Sequence, residues 1–527
     1  MPQLDDHSVA TLRQKATSLH MHGVLAAAEP LYQQVLHERP EDFQSLLMFG
    51  VLSAQTRRLQ QAAELFRRAV RVDSRSPLAH NNLGNVLAEL QSYEPAVASF
   101  DAAIALSPEY ADAYSNRGVA LGNLGRLDEA LASHDEAVRL QPRSARAHNN
   151  RANVLLLLQR QEEALASFDT SIALEPGDPE VHNNRGQCAL QLRRHAEALA
   201  SFENCIALNH DHPEAHYSKG LALLTLGDFE RGWPLVEWRS SELRATPTRT
   251  LRLPPPLWRG EESLEGKRLF IHWEQGFGDT IQFCRYARLA EDRGAHVVLE
   301  AQPALGPLLQ SLSPTMEIVA DLELAKTADY YCPLLSLPLA FKTRLDTIPY
   351  TGRYLGRDPV KVEKWRAKLG QRTTPLVGLA WRGNALQSDD RRRSVELAEL
   401  MRYLPDGIRY ISLQKDVRDV DRKILSAHPH IVDIADELVD FSATASLIDC
   451  LDLVVTVDTS VAHLSGALGQ ETCVLLSFSP DWRWMLNGVD CPWYSTMRLY
   501  RQEKLAEWSG PLERIRSALL ELRGRAR

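Results

Sequence analysis

The sequence predicts an all-helical repeat array followed by an α/β region with two parallel sheets. Two observations carry this. Small residues, aromatics and prolines recur every 34 positions through the first 240 residues. From Gly266 onward, short apolar runs alternate with helical patterns. The length of 527 residues agrees, because single cores rarely grow beyond roughly 250–300 residues.

The repeat anchors are Gly50, Gly84, Gly118, Ala152, Gly186 and Gly220, with Ala62, Ala96, Ala130, Ala164 and Ala198. An aromatic series runs Phe66, Phe100, His134, Phe168, Phe202, and Pro40, Pro108, Pro142 and Pro176 keep the same phase. A helix–turn–helix unit accounts for the pattern. Small residues on both helices permit close contact, the aromatic fills the gap, and the proline follows the second helix. Ala16, Ala28 and Tyr32 place a degenerate first unit near Ser8, and Phe229–Trp233 breaks the pattern as an expected cap. The anchors resemble the tetratricopeptide repeat. That resemblance predicts a superhelix over 8–243 whose first helices line a concave face.

Asn82, Asn116, Asn150 and Asn184 recur two residues before the small anchor. A primary amide both donates and accepts hydrogen bonds, so it can pair with any peptide backbone. This Asn ladder is similar to that of protein O-GlcNAc transferase, which implies an extended polypeptide as ligand. Capping, solvation or plain repeat duplication would produce the same recurrence.

Residues 244–265, with Thr246-Pro247 and Pro254–Pro256, read as a linker that Trp258 anchors by packing. Strands are expected at Arg268–Trp273, His296–Glu300, Leu376–Trp381, Tyr410–Leu413, Leu453–Val457 and Thr472–Leu476. This divides the region into lobes at 266–370 and 371–527. Ligands of such sheets lie at the carboxyl ends of the strands.

Two loops carry the candidate chemistry. Glu274–Asp279 contains Gly276-Phe277-Gly278-Asp279, expected as a tight loop before a Thr280–Arg293 helix. Ile281 stands where a dinucleotide fingerprint needs its third glycine. The second loop, Asp458-Thr459-Ser460-Val461-Ala462-His463, follows a strand and opens a helix of small residues that ends at Gly469. The N–H groups of Thr459 and Ser460 suit a diphosphate. Asp458 suits sugar hydroxyls, and His463 lies on the phosphate side. Helix capping accounts for Asp279 equally well, and a buried core histidine would account for His463 taken alone.

These loops resemble the G-x-G-D and D-T-[GS]-x-x-H-L elements of heptosyltransferase-like glycosyltransferases. The resemblance implies a GT-B fold of two Rossmann-like lobes with a cleft. It makes Asp279 the general base and Gly276, Gly278, Asp458, Thr459, Ser460 and His463 the donor site. That family uses a lysine where this chain has Arg391-Arg392-Arg393; Arg393 is the chosen replacement, against a plain solvated charge run. Gln414 and Lys415 are weaker nucleotide contacts. Asp419-Val420-Asp421 lies in a charged helical stretch and is read as a chance D-x-D, so no metal is expected. No cofactor is expected beyond the nucleotide-sugar co-substrate.

The aromatic segments Pro480–Trp484 and Pro492–Tyr494 complete the resemblance to bacterial tetratricopeptide proteins with such a C-terminal domain, some of which act on flagellin. It implies an inverting, metal-independent protein glycosyltransferase. A polypeptide, flagellin among the options, would lie in the repeat groove, and a homo-oligomer stays open. The alternatives are a scaffold with a degenerate transferase domain and a glycan or lipid glycosyltransferase.

The net charge of −8 gives no reason for a nucleic-acid partner. The N-terminus lacks the basic start and apolar run of a leader, no stretch reaches about 18 apolar residues, and the seven cysteines form no C-x-x-C pair. A cytoplasmic protein with free thiols is the expectation.

Overall fold

The computed structural model describes residues 5–241, 251, 253–383 and 390–525. Thr246-Pro247, Asn384 and Ser388-Asp389 lie outside the described residues, as does the side chain of Arg391. The chain divides into two compact units, Met1–Cys188 and Ala189–Arg527.

The first unit is built of antiparallel helix pairs, beginning with Asp6–Met21 and Leu25–Glu38 and continuing through Ala145–Leu157 and Gln161–Leu174. First helices are capped where the sequence offers an acceptor: Asp42, Ser76 and Ser144 accept from the N–H three residues on. Inside a pair, the small anchor faces the aromatic. A Cβ built on Gly84 would lie 2.5 Å from the Phe100 ring, and one on Gly118 would lie 2.6 Å from His134. His134 is buried, and burial pushes its pKa down to about 4, so it fills the aromatic position as a neutral ring.

The turn inside each pair needs a left-handed residue, and these too keep the period: Gly23, Arg57, Gln91, Gly125, Gln159, Arg193 and Gly227 all have positive φ. Four of the seven are not glycine, which hid the turn from the sequence pattern.

The second unit opens with the last repeat-like helices, His195–Leu208, Pro213–Thr225 and Phe229–Val236. Repeat periodicity therefore runs past the unit boundary, and the expected solenoid limit at residue 243 does not match the packing. Phe229 and Trp233 do not simply cap an array. They pack on Trp482 and Trp493 with ring centroids 5.3–6.4 Å apart, and the Trp233 indole N–H donates to Thr343 O at 3.0 Å. The end of the expected linker is also built in. Leu257 bridges Tyr331 in parallel, and Trp258 is buried against Phe341 at 5.1 Å.

The rest is α/β. Strands β1 (Arg268–His272), β2 (His296–Glu300), β3 (Glu317–Val319) and β4 (Tyr330–Pro333) form a parallel sheet in the order β3-β2-β1-β4. A seven-stranded sheet follows in the order β10-β11-β9-β8-β5-β6-β7. Its strands are β5 (Leu376–Ala380), β6 (Arg409–Ser412), β7 (Ile431–Val432), β8 (Leu453–Val457), β9 (Thr472–Leu476), β10 (Asp490–Cys491) and β11 (Tyr494–Arg501). All pairings are parallel except β10 with β11. Strands β5, β8 and β9 are buried throughout, as a sheet covered on both faces requires. The Pro359–Leu369 helix packs on Phe441–Ile448 beside the second sheet, with the Trp365 indole N–H donating to Ala443 O at 3.2 Å. All seven cysteines are free and buried, and no described helix is long and apolar enough to cross a membrane.

The glycine–aromatic contact makes a graded prediction. The equivalent position is Ala152 in one repeat, so the helix pair can shift to admit a methyl group, but at Gly84 the Phe100 ring must give way. Gly84→Ala should therefore lower thermal stability slightly, whereas Gly84→Leu should cost about 1–3 kcal/mol through overpacking. Equal melting temperatures for the two variants would disprove the contact.

Candidate functional site

Each sheet has one point where the strand order reverses, and the candidate loops sit there. In the first sheet β1 lies between β2 and β4; in the second, β5 lies between β6 and β8. Crevices open at the carboxyl ends of such strands. Glu274–Asp279 leaves β1, Trp381–Gly383 leaves β5 and Asp458–His463 leaves β8.

The first loop is shorter than its sequence suggests. The helix begins at Phe277, so Gly278 and Asp279 lie in its first turn. The reason is local: the Asp279 carboxylate accepts the Gly276 N–H at 2.9 Å, which caps the turn. Gly278 does not open towards a diphosphate. A Cβ on it would lie 2.8 Å from the His463 ring, so it serves close packing. At this point the expected cleft between the lobes is shut.

Asp279 also meets a residue to which the sequence pattern assigns no role, Arg483, which follows Trp482 in a short 3-10 turn. The Arg483 guanidinium donates to Asp279, to Gln282 Oε1 at 2.7 Å and to Asp481 at 2.9 Å. Its face lies 4.7 Å from the Trp482 ring centroid. Burial pushes the Asp279 carboxyl above its ordinary value, and Asp481 and Glu274 add to this. The Arg483 charge and the Gly276 N–H oppose it.

On the other side, Thr459 caps the Ser460–Ala467 helix and accepts from the Val461 N–H at 3.3 Å. Asp458, Thr459 and Ser460 are half-buried. His463 is 5% exposed, stacks on Trp484 at 5.3 Å and meets the Tyr494 hydroxyl through Nδ1 at 3.0 Å. Arg393 ends the short Asp390–Arg393 helix, and its charge acts on both Asp458 and His463. Asp279, Arg393, Asp458, His463 and Arg483 thus share one neighbourhood.

Gln414 is buried, and its Oε1 accepts the Arg382 N–H at 3.1 Å, so it supports the loop after β5. Lys415 is exposed and donates to Ala435 O at 3.1 Å. Asp421 is buried, taking the Trp381 indole N–H at 3.4 Å and Arg418 at 3.2 Å. Among the described residues no group of three His, Cys, Asp or Glu side chains could hold a metal ion.

Glu274 anchors the first loop from below. The fully buried Arg239, just past the Phe229–Val236 helix, grips it through Nε at 3.1 Å and Nη2 at 2.9 Å. Arg239 also donates to Glu237 at 2.6 Å and to Ser336 Oγ at 2.7 Å.

In the first unit the Asn side chains are half-buried and partly committed. The Asn116 amide donates to Asn81 Oδ1 at 3.1 Å, and Asn150 donates to Ser115 Oγ at 3.2 Å, each bracing the preceding repeat. An amide has a second N–H and its carbonyl oxygen to offer. Beside them runs a row of ion pairs that the sequence pattern does not single out: Arg117–Asp101 at 2.7 Å, Arg151–Asp135 at 2.6 Å and Arg185–Asp169 at 2.6 Å.

Comparison with known proteins places these repeats. A "TPR repeat" family matches residues 84–125, and "Tetratricopeptide repeat" families match 22–77, 115–179 and 179–212. The N-terminal part of the chain is thus a tetratricopeptide-repeat array. Protein FlbA of Caulobacter vibrioides is 26% identical over 328 residues, 56% of this chain and 53% of that protein. The chain therefore spans about half the length of the curated relative it matches. Among solved structures, a tetratricopeptide repeat protein from Parabacteroides merdae is 19% identical with a TM-score of 0.39, covering 45% of this chain and 95% of that one. YrrB, described as a TPR protein with an unusual peptide-binding site, is 24% identical with a TM-score of 0.32, covering 36% and 98%.

The buried charges carry two predictions. Arg239→Met leaves Glu274 and Glu237 without a counter-charge and should destabilise the second unit by about 3–5 kcal/mol in urea unfolding. Adding Glu274→Gln should recover part of that loss; strict additivity would show that the two side chains do not interact. Burial, helped by Asp481, pushes the Asp458 pKa up to about 6. Its contribution to stability is full below its ordinary value of 3.8 and is lost as pH rises through about 6. Asp458→Asn should therefore gain on the wild type in melting temperature across that rise, and a pH-independent difference would show that the pKa is not raised.

Proposed function

We propose that the chain is a protein glycosyltransferase of GT-B type. Its repeats hold an extended polypeptide, and its α/β region transfers a sugar from a nucleotide sugar to a Ser or Thr hydroxyl. One observation carries the reading: the helices that follow β1 and β8, one from each sheet, meet at Gly278 and His463. In this reading Asp279 takes the proton of the attacking hydroxyl, and burial, which raises its pKa, makes it a stronger base than an exposed carboxylate. Arg393, Arg483 and the N-terminus of the Ser460–Ala467 helix offset the charge of the leaving diphosphate without a metal. The Asn side chains at 82, 116, 150 and 184 offer backbone partners to the polypeptide, and flagellin is one acceptor of this kind.

A second reading is favoured by the state of Asp279. Held by Arg483 and the Gly276 N–H, it resembles a structural carboxylate, as in a protein-binding scaffold that does not transfer sugar.

A thermal-shift screen with UDP, ADP, GDP, CMP and their sugars separates the two. A true donor at about 100 times its Kd should stabilise the protein by about 2.7 kcal/mol. Asp279→Ala should keep that stabilisation and lose transfer. Stabilisation by none of these nucleotides would sink the transferase reading, and full transfer in Asp279→Ala would remove Asp279 as base. Asn116→Ala with Asn150→Ala should weaken capture of the acceptor polypeptide and leave donor stabilisation unchanged.

A further inference from the structure

Arg483 and Trp484 reach the candidate site from one segment, residues 478–488, and the repeat-like part of the second unit also grips that segment. The grip is made at two left-handed turns. At Arg193, just before the His195–Leu208 helix, Nη2 donates to Leu486 O at 2.7 Å and to Asn487 Oδ1 at 2.9 Å. The same guanidinium lies 5.4 Å from the Phe478 ring centroid, and the Ser479 hydroxyl donates to Leu190 O at 3.0 Å. At Gly227, a Cβ would lie 3.3 Å from Met485 Cε, and the Leu486 N–H donates to Thr225 O at 3.2 Å. From strand β11, Arg501 donates to Met485 O at 3.1 Å, to Gly488 O at 3.1 Å and to Trp484 O. A guanidinium only donates and a peptide carbonyl only accepts, so the sense of each bond is fixed. Two arginines thus take up the carbonyls of Trp484, Met485, Leu486 and Gly488.

The segment needs this hold. Met485 has φ 60° and ψ 172°, a conformation that residues with a Cβ rarely adopt and that persists only where the surroundings enforce it. Directly after it come Leu486 and Asn487, which Arg193 binds. Directly before it, Trp484 stacks on His463 at 5.3 Å, and Arg483 donates to Asp279 and to Gln282 Oε1 at 2.7 Å. The repeats give a second sign. Positions equivalent to Arg193 hold glycine at 23, 125 and 227, and glycine takes a left-handed turn without strain. An arginine gains the turn nothing; what it gains is the reach of its side chain.

We infer that Arg193 is a positioning residue of the candidate site. Through Leu486 and Asn487 it fixes the strained turn at Met485, and with it the placement of Arg483 against Asp279 and of Trp484 against His463. The geometry of the site is therefore set in part by a repeat turn 293 positions before the residue it binds. The positioning stands on the hydrogen bonds and the backbone of Met485. Its bearing on sugar transfer rests on the transferase reading.

The test compares the full chain with Arg193→Gly, which suits the left-handed turn and removes only the side chain. Amide hydrogen exchange, read by mass spectrometry, should speed up by about tenfold or more in residues 484–486 and at the Gly276 N–H that Asp279 accepts, with β5, β8 and β9 unchanged. The Trp484 indole signal in a 15N–1H spectrum, assigned with Trp484→Phe, should move, although Arg193 bonds to the segment two residues further on. Arg193→Lys should restore both readouts, because the bonds to Leu486 and Asn487 come from one nitrogen and an ammonium can make both. Gln159→Gly changes an equivalent turn in the first unit and should alter neither readout. Wild-type exchange and indole signal in Arg193→Gly, faster exchange spread evenly through the strands, or no rescue by lysine would each overturn the inference. With a nucleotide sugar that binds in the thermal-shift screen, Arg193→Gly should lower kcat by about 10–100-fold and leave the donor KM nearly unchanged. An unchanged kcat would overturn the bearing on transfer. If no nucleotide sugar binds, the transferase reading fails, while exchange and the indole signal still decide the positioning.

Discussion

Gly278 lies where any side chain would strike the His463 ring, and the arrangement of the candidate site follows from that constraint. The first turn of the Phe277–Asp292 helix can approach the Ser460–Ala467 helix only because one residue has no Cβ. The approach sets Asp279 within reach of Arg483. It also buries the histidine, which keeps its ring neutral. Gly466 repeats the device one turn further along the same short helix, where a Cβ would meet Tyr494 and Met497 at 2.5 Å. Two glycines thus hold the helix between a loop of one sheet and a strand of the other.

Around that contact the charges are arranged in opposition. Arg483 is shared by Asp279 and Asp481, and burial pushes the Asp279 and Asp458 carboxyls upward. Low-dielectric surroundings magnify each of these effects.

Much of this was legible in the sequence, for physical reasons. A 34-residue period carried by many small and aromatic anchors is what stacked helix pairs require, since each unit must present the same close contact to the next. Strands such as Leu453–Val457 are uniform apolar runs bounded by turn residues. The Asp458–His463 element was visible because a strand, a capping threonine and small helical residues occur in sequence. Other features were hidden. Gly276 and Gly278 have the look of a loop, yet the capping carboxylate of Asp279 starts the helix three residues early. Arg483 was one arginine among tryptophans, and its role depends on a chain segment about 200 positions away. Left-handed turns at Arg57 and Gln91 use residues that carry no such signal.

The boundary between units shows a different kind of concealment. Periodicity runs smoothly from the first helix pairs through Gly220, while compactness changes hands at Cys188. The helices after that point look like repeats and pack like part of the α/β region, through Phe229, Trp233 and Arg239. Anyone dividing this gene would cut near residue 243, where the proline-rich stretch invites it. That cut would strip two aromatic rings from a shared core and strand Glu274 without its cation. The portion most suited to independent life begins some fifty residues earlier, in the middle of what reads as an unbroken repeat.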